Sequence, residues 1–217
     1  MEKSLNEIFH SRVGVNLLVI LLLSVFNACT DYVQQIDNQY VEWMSTCCLI
    51  DSRDGQMYKI VSIGNRTWMA QNLNYEMSDS YCYNDSAEYC DKYGRLYSWT
   101  ATKMACPSGW HMPTKDDFET LFATVGGQSI AGKMLKSTSG WSEGGYGSDS
   151  YSFTALAAGL RDANGNFIYE GNYAYFWSSD EFNKDVAYYV DLYYVSDLSY
   201  LDRQGKLNAL SVRCIKD

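Results

Sequence analysis

Residues 114–127, TKDDFETLFATVGG, carry the clearest pattern in the chain. Phe118, Leu121, Phe122 and Val125 fall at i, i+3, i+4 and i+7, the spacing of one helix face. Thr114 is a good N-cap, Asp116 and Asp117 sit in the first turn where the helix dipole favours negative charge, and Gly126 and Gly127 end the run. A further helix is predicted over Tyr93–Met104, because Tyr93, Tyr97, Ala101 and Met104 recur at helical spacing, with Leu96 and Trp99 broadening the face and Pro107 as the stop.

The remaining pattern is that of strands. The Asp-Gly of DSRDGQ leads into MYKIVSI, and Gly64 and Asn65 turn the chain into TWMAQNL, a hairpin. After the short apolar piece IAGKML, the stretches SFTALAAGL, NFIYEG, YAYFWSS, VAYYVDLYY and ALSVRCIKD read as strands between glycine turns. Helices early and short strands late predict an α+β domain. No internal repeat is visible.

The N-terminus breaks this pattern. Residues 13–28, VGVNLLVILLLSVFNA, are mostly apolar and follow Lys3 and Arg12. The run is shorter than the ~20 residues of a bilayer crossing and suits the apolar core of a signal peptide. Phe26, Asn27, Ala28 and Cys29 resemble a bacterial lipobox, in which a small residue precedes the cysteine that is lipidated. Residues 1–28 are therefore expected to be a lipoprotein-type signal peptide, with an ordinary secretory peptide or a short membrane anchor as the alternative. Cys29 is the expected lipidation site and membrane contact, residues 29–50 a tether, and residues 51–217 the domain. The protein is expected to be exported and lipid-anchored at the outer membrane or cell surface.

Composition narrows the chemistry. The 217 residues carry a net charge of -9 and no long basic run, so no electrostatic footprint for nucleic acid exists. Of the two histidines, His10 lies in the leader, which leaves His111 as the one imidazole of the mature domain. Enzyme classes that need two histidines are excluded. His111 itself, in GWHMPT, is expected to hydrogen-bond backbone and orient a turn, and no nucleophile or orienting partner is identifiable from spacing, so no catalytic residue is expected. Six cysteines follow Cys29: Cys47, Cys48, Cys82, Cys90, Cys106 and Cys214. In an exported chain they favour disulfides, with fifteen connectivities open. Cys82 and Cys90 enclose a short polar loop that closes locally, and a bond between Cys106 and Cys214 would join the middle of the domain to its last strand. Cys47 and Cys48 are open to a vicinal bond, an external bond or the reduced state.

The ordered series DSRDGQMYKIVSIGNRTWMAQNLNY, CYNDSAEYCDKYGRLYSW, ACPSGWHMPTKDDFETL, LKSTSGW, FWSSDE and SVRCIKD resembles the Fibrobacter succinogenes major paralogous domain family, over about residues 51–217. That family is in turn similar to C-type lectin-like folds and to formylglycine-generating-enzyme domains. The resemblance implies a single C-type lectin-like domain of two helices and short antiparallel strands, stabilised by disulfides. A cysteine near the first helix of such folds commonly bonds one in the last strand, places held by Cys106 and Cys214. The formylglycine chemistry needs a cysteine pair near the chain end, where only Cys214 stands, so it is not expected.

Two ligand questions remain. Asp162, Asn164, Asn166 and Glu170 in DANGNFIYE resemble a calcium loop, but Gly165 comes too early for an EF-hand and Asn-Gly is ordinary turn chemistry. The Glu-Pro-Asn, Gln-Pro-Asp and Trp-Asn-Asp triplets of calcium-dependent lectins do not occur. No cofactor is expected, with calcium the candidate kept open. The aromatic excess is the stronger signal: 19 tyrosines, of which Tyr146, Tyr151, Tyr173, Tyr175, Tyr188, Tyr189, Tyr193, Tyr194 and Tyr200 crowd the second half with Trp141. So many hydroxyl-bearing rings cannot all be buried with partners, and those reaching solvent suit recognition. Trp141, Tyr146, Tyr173, Tyr175, Trp177 and Asp180 are the expected ligand-binding residues of a non-catalytic module for a polysaccharide or a surface protein. The alternatives are an enzyme derived from the formylglycine-generating-like fold and a purely structural envelope protein.

Overall fold

In the computed structural model, which describes residues 48–217, β1 (Cys48–Ile50) lies beside β2 (Met57–Ile63), and Gly64 and Asn65 turn β2 into β3 (Arg66–Met69). The hairpin expected there forms with Ile63 opposite Arg66, and Gly64 supplies the left-handed backbone (φ 63°) that the turn requires. The expected signal peptide, Cys29 and the tether up to residue 47 lie outside the described residues. The last three tether residues are β1 itself, and Cys48 is disulfide-bonded.

The helix expected over Tyr93–Met104 does not form as one piece. After β4 (Ser80–Tyr81), α1 (Ala87–Tyr93) stops at Gly94 (φ 73°), β5 (Leu96–Ser98) follows, and α2 (Trp99–Thr102) adds one turn. The reason is a close approach. A Cβ at Gly94 would stand 2.8 Å from the Leu73 carbonyl oxygen, and the amide of Arg95 donates to that same carbonyl at 2.9 Å. The backbone is thereby pinned in an extended path, and Tyr97 pairs with Leu210 far downstream in sequence.

β6 (Trp110–His111) leads to α3 (Lys115–Thr124), where the local signals hold. Thr114 Oγ1 accepts from the Asp117 amide at 3.1 Å and Asp117 Oδ2 accepts from the Thr114 amide at 3.0 Å, a capping box. The IAGKML piece belongs to α4 (Gln128–Leu135). Then come β7 (Leu160–Arg161), β8 (Phe167–Ile168), β9 (Tyr173–Glu181), β10 (Val186–Tyr193), β11 (Ser199–Gly205), β12 (Ala209–Ser211) and β13 (Ile215–Lys216). β11 was not expected from its sequence, SYLDRQG. The closing stretch ALSVRCIKD is two strands in two sheets. The smaller sheet has the order β1-β2-β3-β13-β6, and the larger runs β11-β10-β9-β12-β5-β4, with β7 and β8 alongside.

The expected C-type lectin-like architecture of two helices is therefore corrected. Among the described residues thirteen strands carry the domain, and the four helices are short, α3 being the longest at 10 residues. Pairing between strands distant in sequence claimed residues whose local spacing reads as helical or undecided.

Alternation along β9 splits the core in two. Ala174 and Phe176 join Trp68, Phe118, Phe122, Phe153, Val190 and Leu192 on one face. Tyr175 and Trp177 join Tyr58, Leu73, Tyr97, Trp99 and Leu210 on the other. Between β12 and β13 lies Arg213, wholly buried, whose Nε donates to Asn72 Oδ1 (2.7 Å) and whose terminal nitrogens donate to the carbonyls of Met69, Phe153 and Thr154. Its guanidinium also rests 4.6 Å from the centre of the Phe153 ring and 5.4 Å from that of Phe176. Burial pulls its pKa down to about 9. Besides the bond of Cys48, two disulfides lie wholly among the described residues, Cys82–Cys90 and Cys106–Cys214, spanning 8 and 108 residues.

Candidate functional site

Registered pairing gathers tyrosines on one face of the larger sheet. Tyr189, Asp191 and Tyr193 of β10 stand opposite Trp177, Tyr175 and Tyr173 of β9, and Asp191 and Tyr189 stand opposite Tyr200 and Asp202 of β11. Cross-strand partners point to the same side, so these side chains share a face. The rings of Tyr173 and Tyr193 stack with centroids 4.3 Å apart, those of Tyr173 and Tyr175 at 5.1 Å, and Tyr175 meets Tyr189 at 5.7 Å.

Tyr169 completes the row from outside the sheet. Its ring lies 5.5 Å from Tyr173, edge to face, and is 49% exposed. Its backbone is held at φ 68°, a left-handed conformation that a tyrosine rarely adopts. The amides of Asn172 and Tyr173 both donate to the Tyr169 carbonyl, and Gly159 lies so close that a Cβ there would meet the Ile168 carbonyl oxygen at 2.3 Å. The loop is built to hold this ring in place.

Asp191 is the unusual member. It is half-buried, and its Oδ1 is shut off from solvent with no hydrogen-bond partner. Burial, reinforced by the charge of Asp202, pushes its pKa up to about 6, and the Tyr200 backbone amide offsets only part of this. Burial also raises the Tyr173, Tyr175 and Tyr189 hydroxyls, and the Asp191 carboxylate adds to each. Among the described residues no basic side chain forms an ion pair with Asp191, whereas Asp202 has Arg203 at 4.0 Å.

Of the expected ligand residues, Tyr173 and Tyr175 belong to this row, Tyr175 as its buried floor. Trp177 shares the face but is 0% exposed and donates its indole N–H to the Tyr97 carbonyl. Trp141 is buried in the opposite core and donates to Ser137 Oγ. Asp180 Oδ2 accepts from the Lys115 amide at 2.5 Å and from Ser178 Oγ, so it anchors the start of α3. Tyr146 is exposed, with no ring contact among the described residues. Trp141, Trp177 and Asp180 thus each have a hydrogen-bond partner within the fold and stand apart from the exposed tyrosines. Tyr169 and Asp191 were missed; the alternation Tyr189-Asp191-Tyr193 carried a signal, but its neighbours depend on register.

His111 lies in a separate cleft of about 400 Å³ with Trp99, Lys103, Trp110 and Ser179. Its Nδ1 bonds Asp217 Oδ1 at 2.6 Å rather than the expected backbone, and Nε2 stands 3.9 Å from Asp117 Oδ2. Among the described residues no hydroxyl or thiol hydrogen-bonds the ring, and Cys106 on the cleft wall is tied in a disulfide. The Trp99 ring is flanked by Lys103 and Lys206 ammoniums at 4.6 and 4.3 Å, both held by Glu181. The calcium-like loop is a turn: Asp162 Oδ1 accepts from the amides of Asn164 and Asn166, and Oδ2 from the Asn166 side chain. Among the described residues no cluster of three His, Cys, Asp or Glu could hold a metal, and no helix is long and apolar enough to cross a membrane.

The family model described as the Fibrobacter succinogenes major domain matches residues 61–216. The chain belongs to this family. Neither the curated proteins nor the solved structures contain a match to it. The matched segment of this Fibrobacter succinogenes major domain takes in the whole tyrosine row, the Cys82–Cys90 and Cys106–Cys214 disulfides and Arg213.

Proposed function

We propose that this domain is a non-catalytic binding module that takes a polysaccharide on its tyrosine row, presented at the outer membrane or cell surface by a lipid on Cys29. The observation that carries the reading is the contiguous row itself: Tyr169, Tyr173, Tyr175, Tyr189 and Tyr193 in ring contact on one sheet face, several of them partly exposed. Such rings offer an apolar plane for the C–H face of a sugar and a hydroxyl for its polar rim, and they lose little rotamer freedom on binding. The net charge of -9 disfavours an anionic chain. Full-length protein in detergent, mixed with insoluble cellulose, chitin and xylan, should be retained on at least one of them. Retention should fall in Tyr173→Ala and Tyr193→Ala, and absence of retention on every polysaccharide tried overturns the reading.

A further inference from the structure

The neighbourhood of Asp191 narrows the ligand. Apart from the Tyr200 backbone amide, the groups that face this carboxylate bring negative charge or electron-rich rings. Tyr189 and Tyr193 flank it on its own strand, Tyr173 and Tyr175 face it from β9, and Tyr200 and Asp202 face it from β11. The Arg203 side chain that approaches Asp202 is drawn over the Phe182 ring, 4.5 Å from its centre. Among the described residues Oδ1 has no hydrogen-bond donor. The site is therefore an unbalanced anion among electron-rich rings, and a half-buried carboxylate in that state is destabilising until a positive charge comes beside it.

We infer that the tyrosine row recognises a ligand bearing an ammonium group, seated on Asp191 and flanked by the tyrosine rings. This rests on the polysaccharide reading and specifies it as an amino-sugar or otherwise cation-bearing glycan. A neutral sugar hydroxyl donates one hydrogen bond to the carboxylate. An ammonium also neutralises its charge, relieves its repulsion with Asp202 and is attracted by the ring faces. Neighbouring tyrosine hydroxyls then bind the remaining sugar oxygens, which explains why the row combines stacking area with polar edges.

The test compares two glucosamine hexamers by calorimetry on the full-length protein: one trimethylated on nitrogen and so positive at every pH, the other N-acetylated and neutral. The charged hexamer should bind about tenfold or more tightly at pH 7.5. That advantage should shrink as the pH falls to 4.5 and Asp191 takes up a proton. Asp191→Asn should abolish the preference, and Asp202→Asn should only reduce it. Equal affinity for the two hexamers overturns the ammonium assignment and leaves the polysaccharide reading standing. A preference that survives in Asp191→Asn overturns the seat. Failure of both hexamers to bind removes this inference, and the polysaccharide reading then stands or falls on the separate retention assay.

Discussion

Arg213 and Asp191 are both charges set among aromatic rings on opposite sides of β9, and the protein treats them in opposite ways. Arg213 meets Phe176 and Phe153 on one side, and its donors reach three carbonyls and one side-chain amide oxygen. Asp191 faces Tyr175 on the other side with one oxygen wholly unpartnered. A buried charge that has partners organises the fold, whereas one without them subtracts from stability. The first arrangement is structural. The second leaves a charge that the proposed ammonium ligand would balance.

The largest effect is expected at Arg213. Arg213→Met leaves several buried acceptors without donors and should lower unfolding free energy by more than about 3 kcal/mol in a urea titration, or prevent folding. A loss under about 1 kcal/mol would break the contrast. Lys136 is a second buried cation, donating to the carbonyls of Tyr193, Tyr194 and Ser196 at 3.1, 3.3 and 3.0 Å, with its pKa lowered by burial. Lys136→Met should cost about 1–3 kcal/mol by the same assay. Because those carbonyls lie at the end of β10, this variant should also loosen polysaccharide retention.

Asp191 should respond with the opposite sign. Its pKa of about 6 in the folded protein lies above its ordinary 3.8, so between these values the folded state holds a proton that the unfolded state has released. Stability therefore falls as pH rises through that window, and above it the full penalty is present. Asp191→Asn should stabilise the protein by on the order of 2 kcal/mol at pH 7, with the gain fading toward pH 4. Destabilisation at pH 7 would place Asp191 in the same class as Arg213. The smallest effect is expected at Tyr169: Tyr169→Ala should change stability by under about 1 kcal/mol while weakening polysaccharide retention measurably.

The legibility of these features in the sequence depended on distance along the chain. The α3 capping box and the β2–β3 turn rest on residues within a few positions of one another, and both were readable. Gly94 stops α1 because the backbone of residues 72–73 lies against it, and Tyr97 is strand because of Leu210; neither neighbour is visible from spacing. Trp177 and Tyr175 point to the same face of β9, yet one is wholly buried with its indole N–H on the Tyr97 carbonyl and the other floors the tyrosine row. The aromatic excess marked β9 and β10 as tyrosine-rich. Only the register of β9, β10 and β11 shows that Asp191 stands among those rings.

The placement of β12 and β13 has a consequence for the order of events in folding. β12 lies between β9 and β5, and β13 lies between β3 and β6. Both sheets thus remain interrupted until residues 209–216 have been synthesised, and the same stretch supplies Arg213 and the cysteine that closes the 108-residue loop. A chain halted before residue 209 leaves open strand edges in both sheets, so closure of the two sheets waits for this last stretch of the domain.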